Sequence, residues 1–434
     1  MIKKSIVALL VFSSSILFAN SETFTIDLPN AVKMALKESE DYQIQDNEVL
    51  KATAQYKEIM SILFPQIKGD VTWVKNFKYP NSLPTAAFTK NYNIDYGLSA
   101  NQLLTTFGRI SSSLKGTRKF EEAAAQKKRA VALEITFATK MMYYNACFTK
   151  NMMEIAKESY LSTLESKEIL LERFHGGRVS KRDNIKVDAD IAGRIPMIAE
   201  METSHIASLD TLKRHLGIDF TDQIDLTSSY SKEYPEVDEV KAFQLMYENH
   251  PLLKALTLVT KGQEYLVRSK KAEYYPTLSA FAKYNYRGMS DDNLFVGNQF
   301  LNDYGVYGLN VNIPIFQGFK RHQQIKKAKL DKDNACLTYE KHKKQLELEL
   351  KKTLLEYNEL KQTLSANAEA VFLANKSFDM SQNLLKTGQM SVTDLNDAEL
   401  MLTSQKIKYE TTLFKLNVAL IKLEKLTGEK YSNG

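Results

Sequence analysis

Asp394 and Asp397 stand three residues apart in the run Gly388-Gln389-Met390-Ser391-Val392-Thr393-Asp394-Leu395-Asn396-Asp397-Ala398. On a helix that spacing projects both carboxylates from one face. Acids so close repel like charges brought near them and favour bound cations. Helix capping accounts for half of the pattern. Ser391 followed by Asp394 has the capping-box spacing, and an acid in the first turn suits the helix dipole. Capping gives Asp397 no role.

No other constellation carries chemistry. The six histidines, His175, His205, His215, His250, His322 and His342, are scattered without an i, i+4 pair. There is no Cys-x-x-Cys, so metal-ligand spacing is missing. A phosphate-binding glycine loop and a Gly-x-Ser-x-Gly elbow are also missing. The expectation is a protein with no catalytic residues, metal or cofactor, and therefore not an enzyme. Met141-Met142 and Met152-Met153 read as filling for helix interfaces. With 58 Lys and Arg against 52 Asp and Glu, the net charge of +6 leaves no nucleic-acid footprint.

Lys3 and Lys4 precede an apolar run from Ile6 to Phe18 and the small residue Ala19, the pattern of a signal peptide over residues 1–19. Neither Cys147 nor Cys336 lies near that cleavage site, so the expectation is an unmodified N-terminus near Asn20, without a lipid anchor. The two cysteines occupy unrelated places in the chain, and each reads as free and buried rather than as half of a disulfide.

The rest of the chain is duplicated. Landmarks recur at a constant offset of 211 residues: Ala31 with Ala242, Pro65 with Pro276, Tyr96-Gly97-Leu98 with Tyr307-Gly308-Leu309, Gly177 with Gly388, Asp183 with Asp394, and Gly217 with Gly428. One structural unit repeated with no net insertion explains this. It divides the chain into a first repeat at 20–217, a linker at 218–240, a second repeat at 241–428 and a tail at 429–434.

Each repeat begins with a mostly helical segment, 29–63 and 240–273, the second kinked at Pro251. Each segment ends at an aromatic-proline pair, Phe64-Pro65 or Tyr275-Pro276, because proline lacks the amide a helix interior needs. Period-two alternation follows, as in Tyr92, Ile94, Tyr96 and Leu98 between Asn93, Asp95 and Gly97. It predicts strands at about 66–78, 91–104, 277–287 and 303–315, joined by polar turns near 79–90 and 288–302. Very long helical stretches then run over 108–175 and 318–386, break at Gly176-Gly177 and at Gly388, and continue over 180–216 and 391–426. A stretch of about 68 residues makes a rod of roughly 100 Å, which no single repeat could cover.

Four strands with tyrosine-rich faces cannot close a barrel, and open sheet edges are not tolerated in lipid. Several chains must share one barrel, and three would supply 12 strands.

The order helix, two strands, long helix, glycine break, helix, then the same again, together with the run Gly388–Ala398, resembles the TolC-like outer-membrane efflux proteins. The resemblance implies a mixed α/β membrane protein: a homotrimer with a 12-stranded β-barrel in outer-membrane lipid and a periplasmic α-helical tunnel of long coiled-coil helices. It implies an exit duct of a tripartite efflux pump or type I secretion system, working with a periplasmic adaptor (membrane fusion) protein and an inner-membrane pump, proton-driven or ABC. By the same resemblance Asp394 and Asp397 ring the duct's narrow periplasmic end as its gate. The two breaks, Gly177, Arg178, Val179 and Ser180 with Gly388, Gln389, Met390 and Ser391, are similar to the tips that meet the adaptor. At the tyrosine and arginine positions that often tie the family's closed gate, this sequence has Leu385 and Met390. The basic residues Arg178, Lys181, Arg182 and Lys186 beside Asp183 are candidates to tie the tip to a neighbouring helix, or else a solvated surface. The competing reading of the whole chain is a non-conducting, envelope-spanning coiled-coil spacer, which needs neither the acid pair nor the alternating strands.

Overall fold

A computed structural model describes residues 23–77, 90–175, 181–227, 230, 234–291, 302–429 and 431. The signal-peptide reading at 1–19 and the first break at Gly177–Ser180 lie outside them. In chain order the elements are β1 (Thr23–Ile26), α1 (Leu28–Glu38), α2 (Glu40–Ser61), β2 (Gln66–Lys75), β3 (Tyr92–Thr105), α3 (Arg109–His175), α4 (Lys181–Leu216), β4 (Gln223–Leu226), α5 (Glu239–Asn249), α6 (Pro251–Ala272), β5 (Thr277–Ser290), β6 (Asn302–Asn312), α7 (Lys320–Thr387) and α8 (Val392–Thr427).

The four long strands form one antiparallel sheet in the order β2-β3-β5-β6, which leaves β2 and β6 as free edges. Its register separates two chemistries. Ile67, Ala100, Ala282 and Tyr307 stand side by side on one face, as do Val71, Tyr96 and Tyr286. Lys68, Ser99 and Lys283 stand together on the other, and Asp95 there pairs with Arg287 at 2.5 Å. Period-two side-chain alternation thus makes one apolar face and one wet face. Each strand pair meets its long helix through two successive left-handed residues, Phe107-Gly108 and Gly318-Phe319. Such a turn costs a phenylalanine roughly 1–2 kcal/mol.

α3 and α7, of 67 and 68 residues, run the length of the helical part. Near the sheet the packing order is α2-α3-α6-α7, and toward the far end it is α4-α3-α8-α7. α3 and α6 approach closely at a pair of glycines: a Cβ on Gly116 would lie 3.2 Å from the Gly262 carbonyl oxygen, and one on Gly262 would lie 2.6 Å from the Phe120 ring. α4 continues through Pro196, which removes one backbone donor from its middle.

A belt surrounds the middle of the rods. Its core repeats at the 211-residue offset: buried Ala31, Ala35, Tyr143, Ala146 and Leu212 are answered by buried Ala242, Met246, Leu354, Tyr357 and Leu423. The Tyr143 hydroxyl donates to the Ile26 carbonyl at 3.1 Å, and the Tyr357 hydroxyl donates to the Pro235 carbonyl at 2.8 Å, tying the belt to each rod.

The mostly helical segment 29–63 divides at Ser39, which ends α1 and caps α2, its hydroxyl accepting from the Tyr42 amide at 3.3 Å. Within the stretch 218–240, β4 pairs in parallel with β1. One expectation needs correction. Neither cysteine is in a disulfide, but both are half-buried rather than buried, and desolvation pushes the Cys147 thiol up to about 11. At the place equivalent to Ser39, His250 makes no capping bond, and its burial pushes it down to about 4.

Ser39→Ala is expected to cost about 1 kcal/mol at the first turn of α2, or roughly fivefold faster exchange of its amides. Hydrogen exchange resolved to that turn checks it, with the first turn of α6, already uncapped, as the internal reference.

Candidate functional site

The second break is built by three local devices. Gly388 ends α7 in the left-handed region at φ 86°, which L side chains rarely adopt. The Gln389 amide closes back on the Leu384 carbonyl at 2.9 Å. Ser391 then starts α8 in extended conformation, its hydroxyl accepting from the Asp394 amide at 3.2 Å.

Buried Val392 and Leu395 pack with Leu385, Phe378, Leu170 and Val187, so α8 turns that stripe into the bundle and its opposite face out. Asp394 and Asp397 are both exposed on the outward face. The Ser391 hydroxyl donates to the Asp394 carboxylate at 2.7 Å, so the capping role anticipated for Asp394 is present. Asp397 has no hydrogen-bond or ion-pair partner among the described residues.

The first repeat reaches this site through α4. Lys181 and Arg182 are exposed, and the Lys186 ammonium donates to the Thr393 hydroxyl at 3.1 Å, next to Asp394. The Asp183 side chain, like Gly177, Arg178, Val179 and Ser180, lies outside the described residues. Leu385 is fully buried in the apolar cluster, and Met390 is half-buried.

What joins the two repeats here is a group that sequence spacing does not single out. Arg194 of α4 pairs with Glu399 of α8 at 2.7 Å, with side-chain exposures of 13% and 6%. The same guanidinium donates to the Ser159 hydroxyl on α3 and to Asn396 Oδ1 on α8 at 3.4 Å. Ser159 and Thr163 in turn donate to the Glu399 carboxylate at 2.9 and 3.1 Å. Asn396 Nδ2 donates to Asp190 of α4 at 3.2 Å. Burial pushes the Glu399 carboxyl up, against the pull of Arg194 and the two hydroxyls downward. A groove of about 600 Å³ between α4 and α8 runs past this group, lined by Gly193, Met197, Asn396 and Leu400.

Elsewhere, no cluster of His, Cys, Asp and Glu among the described residues could hold a metal ion, and no described helix is long and apolar enough to cross a membrane.

The model of the outer membrane efflux protein family matches residues 242–429. The chain is 22% identical to the Escherichia coli O157:H7 protein called Cation efflux system protein CusC, across 92% of this chain and 85% of that protein. It is 19% identical to the Salmonella typhimurium protein called Probable outer membrane lipoprotein SilC, across 86% of this chain and 80% of that one. The crystal structure of the Campylobacter jejuni CmeC outer membrane channel superposes with a TM-score of 0.78 at 18% identity, covering 94% of this chain and 86% of that one.

Proposed function

We propose that the chain, whose residues 242–429 match the outer membrane efflux protein family, is an exit duct: an outer-membrane channel whose helical tunnel carries solute across the periplasm without catalysing a reaction. The observation that carries this reading is the sheet. One face is apolar and aromatic, the other polar, and both edges are free. A lipid-facing wall around a water-filled lumen needs those two faces, and lipid forbids those two edges.

Closing the edges requires other copies, and three give 12 strands. The helices support the same partner. At both levels of the rod α7 stands at one end of the packing order, with α2 and then α4 at the other. Leu330, Leu337, Leu348, Leu355, Leu373, Met380 and Leu384 are exposed on α7. At 3.6 residues per turn they fall within about 40° of one another, a single stripe. Charge agrees near the sheet. α2 carries Glu40, Asp41, Asp46, Glu48 and Glu58 against Lys51 and Lys57, whereas residues 320–352 of α7 carry eleven Lys and Arg against five Asp and Glu. A neighbouring α2 fits that basic edge.

In the trimer Asp394 and Asp397 line the periplasmic mouth as a ring of six carboxylates that binds cations and restricts flow. The turn Gly388-Gln389-Met390-Ser391, with its counterpart Gly177-Arg178-Val179-Ser180, is the surface offered to a periplasmic adaptor. An inner-membrane pump supplies the energy, since the sequence carries no phosphate-binding glycine loop.

Single-channel recording of the purified protein in planar bilayers tests the duct. Discrete cation-selective openings are expected. Silence from a correctly assembled oligomer would overturn the duct in favour of a non-conducting spacer.

A further inference from the structure

We infer that Arg194 is the latch of the periplasmic gate, a positioning residue that fastens the gate-bearing start of α8 to the first repeat. The inference rests on the exit-duct reading above and names a residue outside its carboxylate ring.

The geometry divides α8 into two faces. At 100° per residue Asn396 and Glu399 point roughly opposite to Asp394 and Asp397. One face presents the exposed acids, and the other is held from behind. The charged fastening on that back face centres on one guanidinium, which bonds Ser159 of α3 and both Asn396 and Glu399 of α8, with Asn396 also donating to Asp190 of α4. The turn that precedes α8 is the left-handed Gly388, a point about which the helix can swing. The groove between α4 and α8 leaves space beside the contact.

The chemistry gives the contact two states. A buried ion pair is worth little against a well-packed apolar pair, but removing one partner leaves an uncompensated buried charge. With Arg194 gone, the Glu399 carboxylate is buried with only two hydroxyl donors. Water from the groove hydrates it fully as α8 moves outward. Loss of the arginine therefore favours the outward position, whereas Glu399→Gln keeps an amide oxygen that accepts from the guanidinium, beside Ser159 and Asn396, and only loosens the contact.

The experiment compares wild type, Arg194→Ala, Arg194→Lys and Glu399→Gln as purified oligomers in planar bilayers. Lys140→Ala is the control, because Lys140 and Glu424 form a second ion pair between α3 and α8 of similar burial, at 2.6 Å, far along α8 from the gate. The latch predicts an open-to-closed ratio raised about a hundredfold in Arg194→Ala, the population change that follows when a buried partner is lost from one state only. Glu399→Gln is expected to open less, Arg194→Lys to lie near wild type, and Lys140→Ala to gate as wild type despite its lost pair. Arg194→Ala gating as wild type, or Lys140→Ala opening equally, would overturn the latch while leaving the duct intact. Arg194→Ala that fails to assemble while Glu399→Gln assembles and gates as wild type would overturn it as well. Silence of the wild type and every variant would remove the duct and the latch together.

Discussion

Replacing Leu330, Leu337 and Leu348 together by glutamate is expected to abolish the trimer while leaving each protomer's helices formed. These side chains are 53%, 67% and 56% exposed in the single chain, so little intramolecular packing is lost. Glutamate is as good a helix former as leucine, which protects α7 itself. In the assembly the loss is large. Burying each leucine is worth about 1.5 kcal/mol at the low end, and each of three seams loses three. The new carboxylates also face α2, whose own surplus is acidic, so the basic edge of α7 is neutralised where it was attractive. Light scattering in detergent should report monomers, and circular dichroism should report an unchanged helical signal. A trimer as stable as wild type would place the stripe somewhere other than the seam and leave the neighbour resting on the free sheet edges and the charge match of α2 with α7.

That stripe was readable in principle, since 3.6-residue periodicity is local, yet the sequence alone does not single it out. α7 carries buried leucines at Leu346, Leu350, Leu354 and Leu385 on other faces, and both sets look alike until the intramolecular partners are known. Order along the chain was legible because its signals are local too. Alternation marks the strands, the near absence of glycine and proline after Lys320 marks the rods, and a constant offset marks the duplication. What was hidden lies in pairings across the repeats. β4 is four residues long, too short for alternation to register, and its partner β1 lies 200 residues away. The break at Ser39 has no proline to announce it, although Ser39-Glu40-Asp41 is a serviceable N-cap followed by first-turn acids. At the site, capping at Ser391 could be read from spacing because donor and acceptor are three residues apart. The bond from Arg194 to Glu399 spans 205 residues, and nothing in either flanking sequence predicts it. Unaided sequence reasoning therefore finds the residues that face solvent at a turn and misses those that hold the turn in place.

Replacing Asp394 and Asp397 by asparagine is expected to remove block by divalent cations, shifting the half-blocking concentration upward by at least about tenfold, the scale on which carboxylate rings attract ions. The two positions are not equivalent, and the singles separate their roles. Asp394 also accepts the Ser391 hydroxyl at 2.7 Å and sits in the first turn of α8. Removing its charge costs the helix about 0.3–1 kcal/mol in addition to its share of the ring. Asp397 carries no such bond, so Asp397→Asn should change block and leave the stability of α8 untouched. Asparagine keeps the shape of both side chains, so the duct's bore is preserved and only its charge changes. Raising salt should mimic part of the effect, because exposed carboxylates are screened beyond about 10 Å at 0.1 M. Current that persists with unaltered divalent block in the double variant would keep the channel and move its constriction elsewhere. Reduced block in Asp394→Asn alone, with Asp397→Asn indistinguishable from wild type, would confine the ring to three carboxylates and turn Asp397 outward from the lumen.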